Sequence, residues 1–315
     1  MPDPSMGIVL NKEGSSSVFC SRLKKDRYLL IMLILPLTYY LIFRYGPMYG
    51  LLLSVKDFDI NKGIMGSPWA GFKYFQAFVF DPVFWRGFRN TILLNVYMLI
   101  FAFPAPIILA LLLNELKFPR FKRFAQSVSY MPYFISTVVV CGMIVNFFAR
   151  EGMINTVLFS IGIQKINFLM EAQWFPFVYV TSEIWQSVGW GSIIYLAAIT
   201  GVDATVYEAA IIDGAGRWKQ LLNVTLPYLA PTISIMLILA VGNVMSVSFE
   251  KIILLYRGAT YETSDVIATY VYRRGLLGAD FSYATAVGFF QSFVGMIFIL
   301  TANTITKKIS DTSMF

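Results

Sequence analysis

Residues 208–227 read EAAIIDGAGRWKQLLNVTLP, between two long apolar runs, WGSIIYLAAIT at 190–200 and PTISIMLILAVGNVMSV at 231–247. Glu208, Asp213, Arg217 and Lys219 put charge into the segment, and the two flanking runs carry none. It therefore reads as a water-facing connection between two stretches whose solvent is lipid. Asp203 is a candidate N-cap for a helix starting near Ala204. In DATVYEAAIIDGA the alanines and isoleucines recur at helical spacing, and Gly214 permits a sharp turn. RWKQLLNVTL predicts a second short helix, ended by Pro227. The expected element is a stiff helix–turn–helix with small residues at its corner. Such an element can enter a cleft on another protein and pass rigid-body motion to the adjoining spans.

The rest of the chain supports a membrane setting. Of its 315 residues 57% are hydrophobic and only 14% charged, with mean hydropathy +0.65. A soluble domain carries about 25% charged residues, so this chain cannot dress an ordinary aqueous surface. Aromatics at 17% suit two interfacial belts. The net charge of +7 sits beside apolar runs, which points to anionic headgroups rather than nucleic acid. The absence of histidine removes His-based triads and most metal sites. Cys20 and Cys141 are isolated, so neither a disulfide nor a metal site is expected.

Six spans are predicted, near 28–46, 91–113, 127–149, 176–200, 232–250 and 283–303. Residues 1–21 lack the apolar core of a cleavable signal, so the first span is expected to direct insertion. Basic clusters at Arg22, Lys24, Lys25 and Arg27, at Lys117, Arg120, Lys122 and Arg123, and at Lys307 and Lys308 fall on one side of a six-span chain. That side is the cytoplasm, with both termini in it. The tally of Lys and Arg over whole loops is nearly even, so the orientation rests on clustering at span ends and on 208–227. The organisation expected is a cytoplasmic segment 1–27, one transmembrane domain 28–306 and a cytoplasmic tail 307–315. Within the domain lie an extracytoplasmic segment 47–90 and the loop 201–231. In 47–90, Gly66, Pro68 and Gly71 mark turns, and the aromatics from Phe72 to Phe88 suggest a short interfacial helix. It serves as a packed cap, a partner-docking surface, or both.

Polar groups at membrane depth are costly unless they face protein or water. The candidates are Asn95, Glu183, Gln186, Asn243, Glu250 and Gln291, with Trp190 and further aromatics (Tyr97, Trp185, Tyr195) close in sequence. Planar hydrogen-bonding groups beside aromatic faces are what a sugar path uses. Interhelical packing is the competing role for each. Glu183 could pair with a cation or accept from a sugar hydroxyl. Arg257, Arg273 and Arg274 are candidates for docking an extracytoplasmic partner or an anion, and a headgroup anchor is the other reading of the Arg pair. Arg44 and Arg150 are further anion partners if the solute is acidic.

The 208–227 segment resembles the EAA loop of type I ABC importer permeases. Glu208, Ala209, Ala210, Gly214, Leu226 and Pro227 match its core positions. Asp213, Ala215 and Pro231 match the form found in carbohydrate importers. RYLLIMLILPLTYYLIFRYGPMYG at 27–50, FAFPAPIILALLLNEL at 101–116, QSVSYMPYFISTVVV at 126–140, WQSVGWGSIIYLAAI at 185–199 and YVYRRGLL at 270–277 are similar to the subgroup that imports oligosaccharides from complex polysaccharides, alginate and pectin fragments among them. The resemblance implies an all-α polytopic fold of six transmembrane helices with a cytoplasmic coupling helix–turn–helix. It also implies a bacterial inner-membrane permease subunit importing neutral or uronate-containing oligosaccharides. The implied partners are a second homologous permease, expected to be a different chain, two cytoplasmic ATPase subunits and an extracytoplasmic solute-binding protein. The chain has no glycine-rich Lys-Ser/Thr phosphate loop, so it is not expected to hydrolyse ATP itself; as a transporter subunit it is expected to be no enzyme and to hold no metal or cofactor of its own. ATP and Mg belong to the ATPases. Alternatives from other classes are a permease for a non-sugar solute, a channel or membrane enzyme, and a signalling or scaffold protein that docks an ATPase without transport.

Overall fold

The computed structural model describes residues 26–310, without the side chains of residues 306 and 308–310. Cys20, Arg22, Lys24, Lys25, the Lys308 side chain and most of the two terminal segments lie outside the described residues. By contacts the chain divides into two units, one ending at Leu53 and the other starting at Ser54.

Among the described residues, five helical stretches are long and apolar enough to cross a membrane: Arg27–Val55, Pro82–Asn114, Thr137–Ser160, Arg217–Gly242 and Phe281–Ile305. A sixth, Ala172–Thr200, meets Ala204–Ile212 at a bend of 71°. The all-α polytopic architecture is thus in place. The expected fourth span, 176–200, is nearly coincident with helix α1 (Phe175–Thr200). Other boundaries move. The second span begins at Pro82, where Asp81 caps the helix by accepting from the Val83 amide at 2.8 Å. The third is not one helix from 127: helix α2 (Pro119–Tyr130) runs into a 3-10 turn at Met131–Phe134, and helix α3 (Thr137–Phe148) follows. Pro132 lacks the amide that would carry the helix through. Helix α2 packs tightly on α1, for a Cβ added to Gly189 would sit 1.8 Å from the Ser129 carbonyl oxygen.

Three prolines of the long helices are absorbed by one device. Widened π turns occupy Leu41–Tyr45, Met98–Ala102 and Leu221–Thr225. Each is followed, one residue later, by a proline: Pro47, Pro104 and Pro227. The residue between donates its amide five residues back, Gly46 to Leu41, Phe103 to Met98 and Leu226 to Leu221. Shifting the bond by one residue leaves room for a ring that would clash in a regular turn. Pro227 therefore does not end a helix, contrary to the sequence expectation. It stands in the first turn of α4 (Leu226–Gly242), which runs on into the membrane.

The fifth span departs furthest from expectation. It ends at Gly242 rather than continuing to 250. An irregular stretch, 243–248, separates it from a short helix α5 (Phe249–Leu255). Irregular backbone at membrane depth must be satisfied by protein or line a watery cavity. Tyr179 of α1 accepts from the Ser248 amide at 3.2 Å, and Gln291 of helix α6 (Phe281–Ser310) donates to the Met245 carbonyl. Val244 and Met245 are buried beside Tyr283 and Val287. On the other side, Ile252 and Leu255 join Val140, Cys141 and Tyr179 in a second cluster. The break is thus clamped between α1, α3 and α6. In the 47–90 segment the aromatic run does form a short helix, Lys73–Val79, and its Tyr74 and Phe78 are buried.

Candidate functional site

Three regions carry the residues singled out above: the hairpin after α1, the break in the fifth span with the helices around it, and a cluster of arginines on the stretch before α6.

In the hairpin, Asp203 accepts from the Thr205 amide at 2.9 Å and starts the helix Ala204–Ile212. That bond holds the Asp203 carboxyl below the usual carboxylate range. The chain reverses at Gly214, whose φ of 74° is a left-handed conformation that glycine adopts freely. The Ala215 amide closes the turn on the Ala210 carbonyl at 2.8 Å, and Gln220 donates to the Ala215 carbonyl at 2.7 Å. The two legs are tied by Tyr207 and Thr225 hydroxyls 2.9 Å apart, and Tyr228 donates to the Gly201 carbonyl at 2.9 Å. These bonds make the element stiff. Its outer side is bare: Glu208, Ala209, Asp213, Gly214 and Pro227 are exposed, while Ala210, Ala215 and Leu226 are half-buried. Ile212 is 85% exposed and Trp218 77%. Exposed apolar groups thus accompany the charged ones on this loop. A groove of about 410 Å³ lies against the hairpin base, lined by Ile108, Leu112, Trp218 and others, with Arg217 and Glu115 3.8 Å apart at its edge.

At the break, the polar residues divide by what they touch. Glu183 on α1 meets Lys251 on α5 at 3.0 Å, and Lys251 is 1% exposed. Neither the Lys251 ammonium nor the Glu183 Oε1 makes a well-aligned hydrogen bond, so charge rather than hydrogen-bond geometry joins them. Lys251 lies just past the end of the expected fifth span, and the structure puts it in the protein interior. Gln186 donates to the Ile135 carbonyl at 3.1 Å, in the gap between α2 and α3. Gln291 is spent on the break itself, and Asn95 donates to Thr91 in its own helix at 2.9 Å. Asn243 and Glu250 are exposed. Asn243 donates only to Leu239 of its own helix, and Glu250 has no hydrogen-bond or ion-pair partner among the described residues. Trp190 is 45% exposed and stacks on Tyr133 with centroids 4.7 Å apart and planes at 5°.

The extracytoplasmic arginines are mostly engaged within the chain. Arg273 and Arg86 share Asp265, at 2.7 and 3.3 Å, and Asp265 is fully buried. Burial works against the Arg273 charge, but the Asp265 carboxylate outweighs it and raises the pKa of the guanidinium. Arg274 pairs with Asp81 at 3.2 Å and Asp280 at 3.5 Å, and lies over the Tyr283 ring. Burial would raise the pKa of Asp81. Hydrogen bonds from Tyr270, the Val83 amide and Tyr283, together with the Arg274 charge, reverse this and hold it below the usual range. Arg257 is exposed and donates only to the Leu254 and Tyr256 carbonyls. Lys251, Asp265, Asp81 and Tyr179 were not singled out from the sequence. Their importance lies in partners far along the chain, and no local pattern announces it.

The chain as a whole finds counterparts among known proteins. Residues 77–311 match the family described as binding-protein-dependent transport system inner membrane component. The chain belongs to that family. Protein LplB of Bacillus subtilis (strain 168) is 43% identical over 303 residues, covering 96% of this chain and 95% of the relative. The polygalacturonan/rhamnogalacturonan transport system permease protein YteP of the same organism is 39% identical, covering 99% and 98%. Among solved structures, a chain of a bacterial ABC transporter involved in importing the acidic polysaccharide alginate superposes with a TM-score of 0.85 at 40% identity, over 93% of this chain and 99% of that one. This family member is therefore a multi-pass inner-membrane permease subunit of an ABC importer, with the type I importer fold, and not a catalytic enzyme. An importer of this architecture works with an extracytoplasmic binding partner.

Proposed function

We propose that this chain moves oligosaccharides from an extracytoplasmic solute-binding protein into the cytoplasm, in a complex with a second, different permease chain and two ATPase subunits. The observation that carries the coupling half is the stiff hairpin with an apolar, exposed tip. Glu208, Ala209, Ala210, Asp213, Gly214, Ala215, Leu226 and Pro227 form or support the surface that docks into an ATPase groove. The ATPases draw together on binding ATP, and the hairpin, joined to α1 and α4 at its two ends, transmits that motion to the spans. The path then opens outward to the loaded binding protein, and inward after hydrolysis.

The solute class is supported by the printed roles of the relatives, one for polygalacturonan and rhamnogalacturonan and one for alginate, and by the groups left free at membrane depth. Asn243, Glu250 and the Trp190–Tyr133 pair face away from the protein core, so they serve the path. A carboxylate and an amide in that position avoid hydrocarbon only by facing water or another chain. Asn95, Glu183, Gln186 and Gln291 are engaged within the bundle and shape the path. Arg273 and Arg274 hold the extracytoplasmic end together, leaving Arg257 as the exposed cation for a binding protein or an anion. The test is ATP-dependent uptake by the complex in proteoliposomes with its binding protein, over neutral and uronate oligosaccharides. Uptake of one class is the expected result. A stable complex with loaded binding protein and no uptake of any sugar would overturn the assignment.

A further inference from the structure

The break in the fifth span sits well inside the membrane. Glu183 is eight residues into α1, roughly 12 Å below its outer end at 1.5 Å per residue. Gln291 is ten residues into α6, roughly 15 Å down by the same rise. Both touch the break or the helix that follows it, through Lys251 and Met245. The Cys141 sulfur, in the middle of α3, lies 3.9 Å from the Lys251 carbonyl oxygen. Glu250 is therefore a carboxylate at membrane depth, exposed on the surface of this chain. Its neighbour Lys251 does not neutralise it, because that ammonium is buried and paired with Glu183.

The charges on the facing elements leave a defined balance. Glu183 and Lys251 cancel. Arg273 and Arg274 are paired with Asp265 and Asp81 nearer the outer end. Arg257, at the far end of α5, is turned to backbone carbonyls. Among the described residues from Ser54 on, the level of the break therefore carries one negative charge and no free cation. Asn243 and Ser246 are exposed on the same irregular stretch, so the carboxylate is accompanied by neutral polar groups. A carboxylate only accepts hydrogen bonds. It suits adjacent sugar hydroxyls, which donate, and it repels a second carboxylate.

We infer that Glu250 is a specificity-determining residue of the path. It accepts from the hydroxyls of neutral sugar units and disfavours uronates, so that any acidic solute must find its cation away from the break. This rests on the oligosaccharide reading above. The test measures uptake by the reconstituted complex for a galacturonate trisaccharide and its methyl ester, which match in shape and differ in charge. Wild type is compared with Glu250→Gln and Glu250→Asp using the same binding protein, so that its own preference cancels in the ratio. Glu250→Gln should raise the acid-to-ester uptake ratio about tenfold, the size of effect that one nearby charge exerts at intermediate dielectric. Glu250→Asp, which keeps the charge, should stay within about twofold of wild type on the same argument. An unchanged ratio in Glu250→Gln would overturn the inference while leaving sugar import intact. No uptake of either sugar by wild type, with both loaded on the binding protein, would instead defeat the oligosaccharide reading and this inference with it.

Discussion

The hairpin and the break in the fifth span are both interruptions between apolar helices, yet they are built on opposite plans. The hairpin is held by short-range bonds: Asp203 to Thr205, Ala215 to Ala210, Gln220 to Ala215. Its outer surface is bare. The break is held by residues distant in sequence, Tyr179, Glu183, Cys141 and Gln291, and its apolar side chains are buried. A locally folded, exposed element can be altered without unfolding the protein; a clamped one cannot. The difference separates the element that meets a partner from the element that shapes the path.

The contrast is tested most strongly at Lys251. Lys251→Met should cost about 3–5 kcal/mol, because Glu183, largely shielded from solvent, is left without its counter-charge. The double variant Lys251→Met, Glu183→Gln should recover most of that, since removing both charges removes the desolvation penalty. Thermal unfolding in detergent reads both; equal losses in single and double variants would show that the pair contributes no charge coupling. The next effect is at the extracytoplasmic end. Asp81→Asn should cost about 1.5–3 kcal/mol at neutral pH, the range for hydrogen bonds to a charged group. The native-state pKa of Asp81 is depressed, so its contribution is complete above the unfolded value near 4. It fades as pH falls through the lower folded value. The gap between wild type and Asp81→Asn should therefore close on acidification below about pH 4, and a gap constant with pH would contradict the arrangement. The smallest effect belongs to the hairpin: Asp203→Ala should lower Tm by only about 2 °C, as expected for one exposed cap in a chain of this size. A loss as large as that of Lys251→Met would mean that the hairpin is part of the core.

The same contrast explains what could be read from the sequence. Hydropathy places the spans, because lipid selects apolar composition along the whole crossing, and α1 is matched almost end to end. The hairpin is legible because its determinants are local: a capping Asp203, a turn-permitting Gly214, and charges set among apolar runs. The 3-10 turn at Met131–Phe134 and the break after Gly242 are not, since an apolar window averages over both. Pro227 misleads as a helix stop because the π turn at Leu221–Thr225 absorbs it, and a π turn has no composition of its own. The structure also separates Glu183 from Glu250. Both are acids in apolar surroundings, and only the position of Lys251 shows that one is paired and the other free.

The hairpin around Gly214 is proposed to deliver the ATPase motion while contributing little to the fold. The direct measurement is sugar-stimulated ATPase activity of the reconstituted complex carrying Gly214→Asn or Gly214→Val. Asn tolerates the left-handed backbone and adds a side chain where this chain leaves open space. Val adds strain as well. Stimulation should fall at least about tenfold in Gly214→Asn, a loss of at least roughly 1.4 kcal/mol of coupling, and further in Gly214→Val. For Gly214→Asn, Tm should stay within about 2 °C of wild type, the scale of one exposed local change. Full stimulation in both variants, with the complex intact, would contradict the account.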